Sequence, residues 1–259
     1  MKRYIILSLA LCLILTGCGF KVDNAGELNW NSHFIPPTTE PVETGPTMPP
    51  SPYGPVDFGF DGNYITCLAG DYQVGIDVSA WQSQIDWEQV KASGVQYVMM
   101  RIGWRGSVEG KLFEDECFQR HYEGATAAGL LVGGYFFSQA VSVEEAQEEA
   151  RYVMELLGDR PLQMPLVYDW EQMNPTDRTA DMDARTLTDC CIAFCEAVKE
   201  SGFDPGVYFN PDQANRLMYL TELTDYRLWL ALYSGTMSYP YKVDMWQYTN
   251  TGTVPGVEG

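Results

Sequence analysis

Seven short apolar runs alternate with helical segments between Val74 and Tyr248. Most of the runs lack full polar alternation, as expected of strands that are covered on both faces. Repeated strand-then-helix units predict an α/β fold built on a parallel sheet. The predicted strands cover residues 74–79, 97–104, 130–138, 165–171, 206–210, 228–233 and 244–248, and the predicted helices cover 87–92, 115–128, 143–157 and 186–200.

The helix ends carry their own signals. Ser142 and Glu145 form a capping-box pair in front of the third predicted helix. A glycine follows each helix, as expected of C-terminal caps, at Gly94, Gly129, Gly158 and Gly202.

A barrel explains the strand ends better than an open nucleotide-binding sheet does. Polar or aromatic residues end the runs, and the active site of a (β/α) barrel gathers at that rim. A doubly wound fold would need a glycine-rich loop after its first strand, but residues 79–84 contain no glycine. Residues 106–111 do not match a P-loop either. The few residues between Tyr233 and Asp244 leave no room for a full helix. We therefore predict an irregular (β/α) TIM-like barrel whose second half departs from the regular pattern.

The charge of the chain excludes several classes of protein. It has 16 basic and 35 acidic residues, for a net charge of -19. This composition argues against nucleic-acid binding and against electrostatic docking on anionic lipid. Only His33 and His121 are present, so a histidine-based triad or metal site has little to draw on. We therefore predict no metal and no cofactor, and catalysis by carboxyl groups.

Two acids on one predicted strand are the strongest catalytic candidates. Asp169 and Glu171 are two residues apart, so they project from the same face, roughly 7 Å apart at Cα. Neighbouring carboxylates raise one another's pKa, which leaves one protonated acid beside one anion, as glycosidic cleavage requires. A solvated strand edge is the alternative, and the apolar neighbours and the strand-end position argue against it. Asp77 adds a third acid at the end of the first strand.

The N-terminus is typical of an exported lipoprotein. Lys2 and Arg3 precede an apolar run over residues 5–15, which is too short for an ordinary transmembrane helix. Leu15-Thr16-Gly17-Cys18 resembles a bacterial lipobox, in which Cys18 would become the lipidated first residue; an ordinary secretory signal is the alternative. We expect a signal peptide over 1–17 and a lipid anchor on the outer face of the cytoplasmic membrane.

A proline-rich segment follows the predicted lipidation site. Eight of the 15 prolines lie between Pro36 and Pro55, which predicts an extended tether over residues 18–70 and a folded domain over 71–259. Five cysteines follow the predicted lipidation site, and this odd number does not indicate a disulfide framework. Cys191 and Cys195 share one helix face with apolar residues, so we interpret them as core residues.

Several short motifs resemble the glycoside hydrolase family 25 muramidases. They are Gly75-Ile76-Asp77-Val78-Ser79, Trp81-Gln82, Ile85-Asp86-Trp87, Gly133-Gly134-Tyr135-Phe136-Phe137, Tyr168-Asp169-Trp170-Glu171, the run from Leu228 to Tyr233, and Trp246-Gln247-Tyr248. They occur in the family's order over about residues 74–256. The resemblance implies an irregular barrel that hydrolyses peptidoglycan after N-acetylmuramic acid. It also implies that Glu171 is the proton donor, that Asp169 assists the substrate's acetamido group or stabilises charge, and that Asp77 positions this machinery.

Two departures from the family pattern stand out. Phe136 replaces a histidine that is frequent in the family, which we expect to alter substrate contacts. The family also continues into a further strand that carries an aspartate, whereas this sequence stops at Gly259. We therefore expect the last barrel strand to be missing and the sequence to be a fragment, with an unpaired sheet edge.

Aromatic residues near the strand ends are candidates for stacking on sugar rings. The substrate-binding candidates are Tyr135, Tyr208, Trp229, Tyr233 and Gln247. Core packing is the alternative for the aromatic members. Two other functions stay open, namely a barrel that binds peptidoglycan without cutting it and a chitinase-like hydrolase.

Overall fold

The computed structural model describes residues 3–8 and 47–258. Its strands are β1 (Arg3–Ser8), β2 (Phe58–Phe60), β3 (Ile65–Cys67), β4 (Tyr72–Val78), β5 (Tyr97–Arg105), β6 (Leu112–Glu114), β7 (Leu131–Ser138), β8 (Leu166–Trp170), β9 (Pro205–Phe209), β10 (Arg227–Ala231) and β11 (Met245–Gln247). Its α-helices are α1 (Trp87–Ala92), α2 (Phe118–Ala127), α3 (Val143–Leu157), α4 (Ala184–Glu200) and α5 (Pro211–Arg216).

The parallel sheet curls into a barrel. Strands β4, β5, β7, β8, β9, β10 and β11 pair in that order, and β1 lies between β11 and β4. The short strand β6 pairs antiparallel with β5 outside this ring. The predicted TIM-like α/β barrel is therefore confirmed.

The place predicted for a missing strand is occupied in the structure. Ile5 of β1 is in register with Val74 on one side and with Trp246 on the other. This strand belongs to the predicted signal peptide, so cleavage before Cys18 would remove it and leave the facing edges of β4 and β11 unpaired. Residues 9–46, with Cys18 and most of the predicted tether, lie outside the described residues. The processing and the anchor therefore stay predictions.

The folded part begins earlier than the sequence indicates. We predicted its start near Asp71, but residues 47–70 pack against the barrel. The antiparallel pair β2–β3 is joined to the core by buried side chains of Tyr64, Ile65 and Cys67. The high proline content of this region hid the apolar hairpin.

Two separate apolar cores hold the barrel together. The inner core fills the barrel, with members including Tyr97, Met99, Val167 and Trp229, and the outer core lies between the sheet and the helices. Successive strand residues alternate between the two. Gly75 faces inward, where an added Cβ would lie 2.3 Å from the Tyr97 ring, so the large interior ring requires glycine at that position.

The first half of the barrel is more regular than the second. Helices α1 to α4 cover β4 to β8, and the Ser142 cap and the positive-φ glycines at 94, 129, 158 and 202 agree with the predicted helix ends. After β9, only the six-residue α5 and a 3-10 turn, Leu220–Leu223, cover the sheet. The predicted irregularity of this half is confirmed.

The described cysteines belong to the core, as predicted for Cys191 and Cys195. All five are buried and unbridged: Cys67, Cys117, Cys190, Cys191 and Cys195. Within the described ranges, no helix has both the length and the apolar character needed to cross a membrane.

Candidate active site

The three predicted acids converge at the carboxyl ends of two barrel strands. Asp77 is the penultimate residue of β4, Asp169 is the penultimate residue of β8, and Glu171 follows that strand directly. Asp77 and Asp169 are each 6% exposed, whereas Glu171 is partly exposed. Val167 belongs to the inner core, so Asp169, two residues later, faces the same interior at the mouth.

Burial makes protons bind unusually tightly to these acids. Burial is the main cause that raises the pKa of Asp169 well above its ordinary value, and the nearby Glu171 and Asp77 raise it further. Burial also raises the pKa of Glu171. The Oδ1 atom of Asp169 is buried and has no hydrogen-bond partner among the described residues. Asp169 and Glu171 therefore form a pair of neighbouring acids whose pKa values both lie above the ordinary carboxyl value.

Gln247 holds Asp77 in place. Its Nε2 donates to Asp77 Oδ2 at 3.1 Å, and its Oε1 accepts hydrogen bonds from Tyr208 Oη at 2.7 Å and from Tyr233 Oη at 3.2 Å. This side chain, which we predicted to bind substrate, is buried and bonded within the protein. The structure thus places it behind the acids as a link between three strand ends.

The predicted aromatic candidates divide between the interior and the surface. Trp229 is only 1% exposed and packs edge to face against Tyr135 and Tyr208 inside the barrel. Tyr208 is also buried, Tyr135 is partly exposed, and Tyr233 is 47% exposed. Tyr233 and Tyr135 are therefore the members of this group that offer surface to a ligand, and Trp229 forms part of the floor beneath them.

Phe136 lies on the opposite face of its strand from the site. It is fully buried in the outer core and contacts the ring of Tyr152 on α3 at a centroid distance of 6.4 Å. The expectation that Phe136 alters substrate contacts is therefore wrong, because its neighbour Tyr135 occupies the inward position.

Two buried glutamines hold the backbone at the end of the acid strand, and sequence reasoning missed both. Gln139 Nε2 donates to the carbonyl of Glu171 at 2.6 Å, and Gln213 Nε2 donates to the carbonyl of Trp170 at 2.7 Å. Glu171 lies beyond the last ladder pair of β8, so Gln139 supplies a bond that the sheet no longer provides. No local pattern around either glutamine marks this role.

Sequence reasoning also missed a cation at the mouth. Arg101 follows Tyr97 and Met99 at strand spacing, which places it on the inward face of β5. Its Nε donates to the buried carboxylate of Asp115 at 2.7 Å. Because Tyr97 and Met99 face inward, the two-residue spacing along the strand could have predicted that Arg101 faces inward as well.

This arrangement suits acid-assisted chemistry. A pair of acids with raised pKa values can hold a transferable proton beside a negative charge, at a rim that a ligand can reach. Among the residues that the structure describes, no group of three or more His, Cys, Asp and Glu side chains could hold a metal ion.

Comparison with known proteins points in the same direction. The sequence profile of glycosyl hydrolases family 25 matches residues 76–257, which include all three acids. The chain is 27% identical over 197 residues to YegX of Escherichia coli, a protein described as uncharacterized. It is 26% identical over 193 residues to the autolytic lysozyme of Clostridium acetobutylicum. The solved structure of a bacterial lysozyme from Streptomyces coelicolor superposes with a TM-score of 0.58 at 25% identity, covering 71% of this chain and 87% of that one.

The matches are partial in length. The alignments with YegX and with the autolytic lysozyme each cover 71% of this chain. They cover 66% of the length of YegX and 53% of the length of the autolytic lysozyme.

Proposed function

Because the chain belongs to glycosyl hydrolases family 25, we propose that it is a lysozyme-type peptidoglycan hydrolase. It cleaves the β-1,4 bond between N-acetylmuramic acid and N-acetylglucosamine. The observation that carries this proposal is the position of the buried Asp169 and the partly exposed Glu171 together at the mouth of the barrel. The similarity to an autolytic lysozyme supports peptidoglycan as the substrate.

In the proposed reaction, Glu171 donates its proton to the glycosidic oxygen as the bond from that oxygen to C1 breaks. The acetamido oxygen of the same muramic acid residue attacks C1, and the Asp169 carboxylate stabilises the positive charge that develops on the acetamido nitrogen. Water then attacks C1 as the bond from C1 to the acetamido oxygen breaks, and the water loses a proton to Glu171, which restores the acetamido group and the starting state of the enzyme. General-acid assistance of this kind contributes about 10²–10⁴ in rate.

Asp77 completes the site from the opposite strand. Its carboxylate is held by Gln247 and adds negative charge near the pair, which disfavours ionisation of a further carboxyl group. Asp77 thereby helps to keep one proton in the site at neutral pH.

Product analysis tests the proposed bond. Purified cell walls are digested, the products are reduced with borohydride, and the reduced sugars are identified by mass spectrometry. Cleavage after muramic acid gives reduced muramic acid at the new ends, whereas cleavage after glucosamine gives reduced glucosamine. Chitin oligosaccharides serve as the second substrate, and Glu171→Gln is the inactive control. Cleavage of chitin alone would favour the chitinase-like alternative, and wall binding without products would favour the binding barrel.

We also propose that Cys18 anchors the protein by a lipid to the outer face of the cytoplasmic membrane. The support is the apolar run and lipobox-like sequence that precede it. Cys18→Ala should abolish labelling by a palmitate analogue and release the protein from membranes. Cys12→Ala, six residues earlier in the apolar run, is the matched control and should label normally. Equal labelling of the two variants would refute the anchor.

A further inference from the structure

The loop that follows the acid strand is held by the protein on both sides of its exposed part. The loop covers residues 171–183 between β8 and α4, and residues 172–176 are exposed. Both ends of this exposed part meet Gln139, which directly follows β7. The side chain of Gln139 donates to the carbonyl of Glu171 at 2.6 Å. Its own carbonyl accepts a hydrogen bond from Arg178 Nη1 at 3.1 Å.

Arg178 binds two elements with the two ends of its guanidinium group. Nη1 donates to the Gln139 carbonyl, and Nη2 donates to Glu145 Oε1 on α3 at 2.5 Å. Its backbone amide adds a hydrogen bond to the carbonyl of Ser107 at 3.1 Å. Gly110 lies so close to the guanidinium group that an added Cβ would be 2.7 Å from Nη1. Because the planar group meets two acceptors at once, its position is fixed.

Gln139 connects these contacts to the acid. Its side chain is buried, and the hydroxyl of Thr179, the residue after Arg178, donates to its Oε1 at 3.3 Å. The loop therefore holds the backbone of Gln139 through Arg178 and orients its amide through Thr179. That amide holds the carbonyl of Glu171, which lies beyond the last ladder pairs of β8. The contacts form a closed chain from Arg178 through Gln139 to Glu171 and back along the loop.

We propose that Arg178 is a positioning residue for Glu171: through Gln139, it fixes the peptide group from which the proton-donating side chain projects. The inference rests on the proposed hydrolase function, in which Glu171 is the general acid. Glu171 needs such a hold because it has left the sheet and stands at the start of an exposed stretch. A misplacement of about 1 Å can cost up to about a hundredfold in rate, so a freed Glu171 would donate its proton less often.

Steady-state kinetics on soluble peptidoglycan fragments test the proposal. For Arg178→Gln, we expect kcat to fall about tenfold with KM unchanged, because the loss is felt in the transition state and not in substrate binding. Arg178→Lys keeps the charge but reaches one acceptor at a time, so kcat should fall about two- to fivefold; this variant carries the test if Arg178→Gln does not fold. Arg151→Gln, which removes an exposed charge from α3, is the control and should match the parent protein. An unchanged kcat, with or without a rise in KM, would overturn the proposal.

A double-mutant cycle tests the route through Gln139. In the Gln139→Met protein, the amide that binds the Glu171 carbonyl is already absent. Adding Arg178→Gln to this protein should therefore lower kcat by less than about twofold, compared with about tenfold in the parent protein. Losses that multiply would mean that Arg178 acts independently of Gln139, and this result would overturn the proposal.

Amide hydrogen exchange gives a measurement that does not depend on activity. Mass spectrometry of peptic fragments follows exchange in residues 171–183 of the folded proteins. Arg178→Gln and Gln139→Met should each speed exchange in this loop, and Arg151→Gln should leave it unchanged. Unaltered exchange in Arg178→Gln would show that Arg178 does not hold the loop. Faster exchange in both variants, with no cleavage of peptidoglycan by the parent protein, would instead refute the proposed function alone.

Discussion

Asp169 and Glu149 are two deeply buried carboxyl groups with opposite surroundings. Glu149, on α3, accepts hydrogen bonds from Arg105 Nε and from Ser138 Oγ, both at 2.7 Å. The Arg105 guanidinium is itself almost fully buried. Asp169 lies at the barrel mouth with one oxygen unpartnered among the described residues and with two acids nearby. Burial raises the pKa of both groups, to about 7 for Glu149.

The comparison distinguishes an acid with a structural role from an acid that is a candidate for catalysis. A buried acid whose oxygens accept hydrogen bonds links secondary-structure elements. Glu149 links α3 to β5 through Arg105 and to β7 through Ser138. A buried acid that is left without a partner is a functional-site candidate, because its free oxygen can meet a ligand. Burial and a raised pKa alone therefore do not mark a candidate catalytic residue, whereas a buried oxygen without a hydrogen-bond partner does.

The largest effect is expected on stability when the paired acid loses its cation. Arg105→Leu leaves Glu149 buried without a counter-charge, which should lower the free energy of unfolding by about 3–5 kcal/mol. Urea denaturation measures this change. Arg185→Leu is the matched control, because its ion pairs with Glu222 and Asp189 are exposed to solvent and their loss should change the stability little. Similar losses in the two variants would contradict the structural role assigned to the buried pair.

The next prediction concerns activity, which should fall when either acid at the barrel mouth loses its charge or its proton. Glu171→Gln keeps the shape of the side chain but removes the transferable proton, so kcat should fall by at least about a hundredfold. Asp169→Asn should also be severe, because its charge is felt in the transition state. Initial rates on cell walls, with circular dichroism to check the fold, measure both. Turnover close to that of the parent protein in either variant would place the chemistry elsewhere.

A smaller effect should appear in the pH dependence of stability. Because burial raises the pKa values of both Asp169 and Glu171 in the folded protein, the pair holds a proton that the unfolded chain has lost above about pH 4. The contribution of the pair to stability therefore falls as pH rises above that value. Asp169→Asn should be more stable than the parent protein at pH 8, by about 0.5–2 kcal/mol, and its advantage should shrink at pH 5. Thermal midpoints at the two pH values measure the difference, and a constant offset would argue against it.

The smallest expected change in activity concerns the glutamines behind the acid strand. Gln139→Met removes the bond to the Glu171 carbonyl, and Gln213→Met removes the bond to the Trp170 carbonyl. Each deletion should cost about 1–3 kcal/mol of stability, because a buried carbonyl loses its donor. Only Gln139→Met should also lower kcat, by roughly tenfold, since it frees the residue that bears the proton. Parallel losses of kcat in both variants would show that the two bonds act alike.

Local patterns predicted the fold and the position of the three acids at the strand ends. Strand and helix periods, caps and glycines are set by neighbouring residues, and the pair Asp169 and Glu171 lies on one strand. Side chains alternate between the two faces of β7, so Tyr135 and Phe136 lie on opposite faces. The expectation for Phe136 was wrong because it ignored this alternation. Local information sufficed wherever the cause lay within one element.

Long-range partners could not be predicted in this way. Arg105 and Glu149 are 44 residues apart, and Gln247 and Asp77 are 170 apart. Their contacts depend on the sheet register and on how α3 packs, which no spacing in the sequence encodes. For the same reason, we predicted that Gln247 binds substrate, whereas in the structure its side chain forms hydrogen bonds with other residues of the protein.

The burial of the five described cysteines has a consequence for how opening of the barrel can be observed. Burial raises the pKa of Cys190 to about 12 and also raises that of Cys191 and Cys195, so these thiols carry almost no reactive thiolate in the native state. A thiol reagent can therefore modify them only when α4 separates from the sheet. The rate at which label enters this helix would measure the frequency of that opening directly, without any introduced probe.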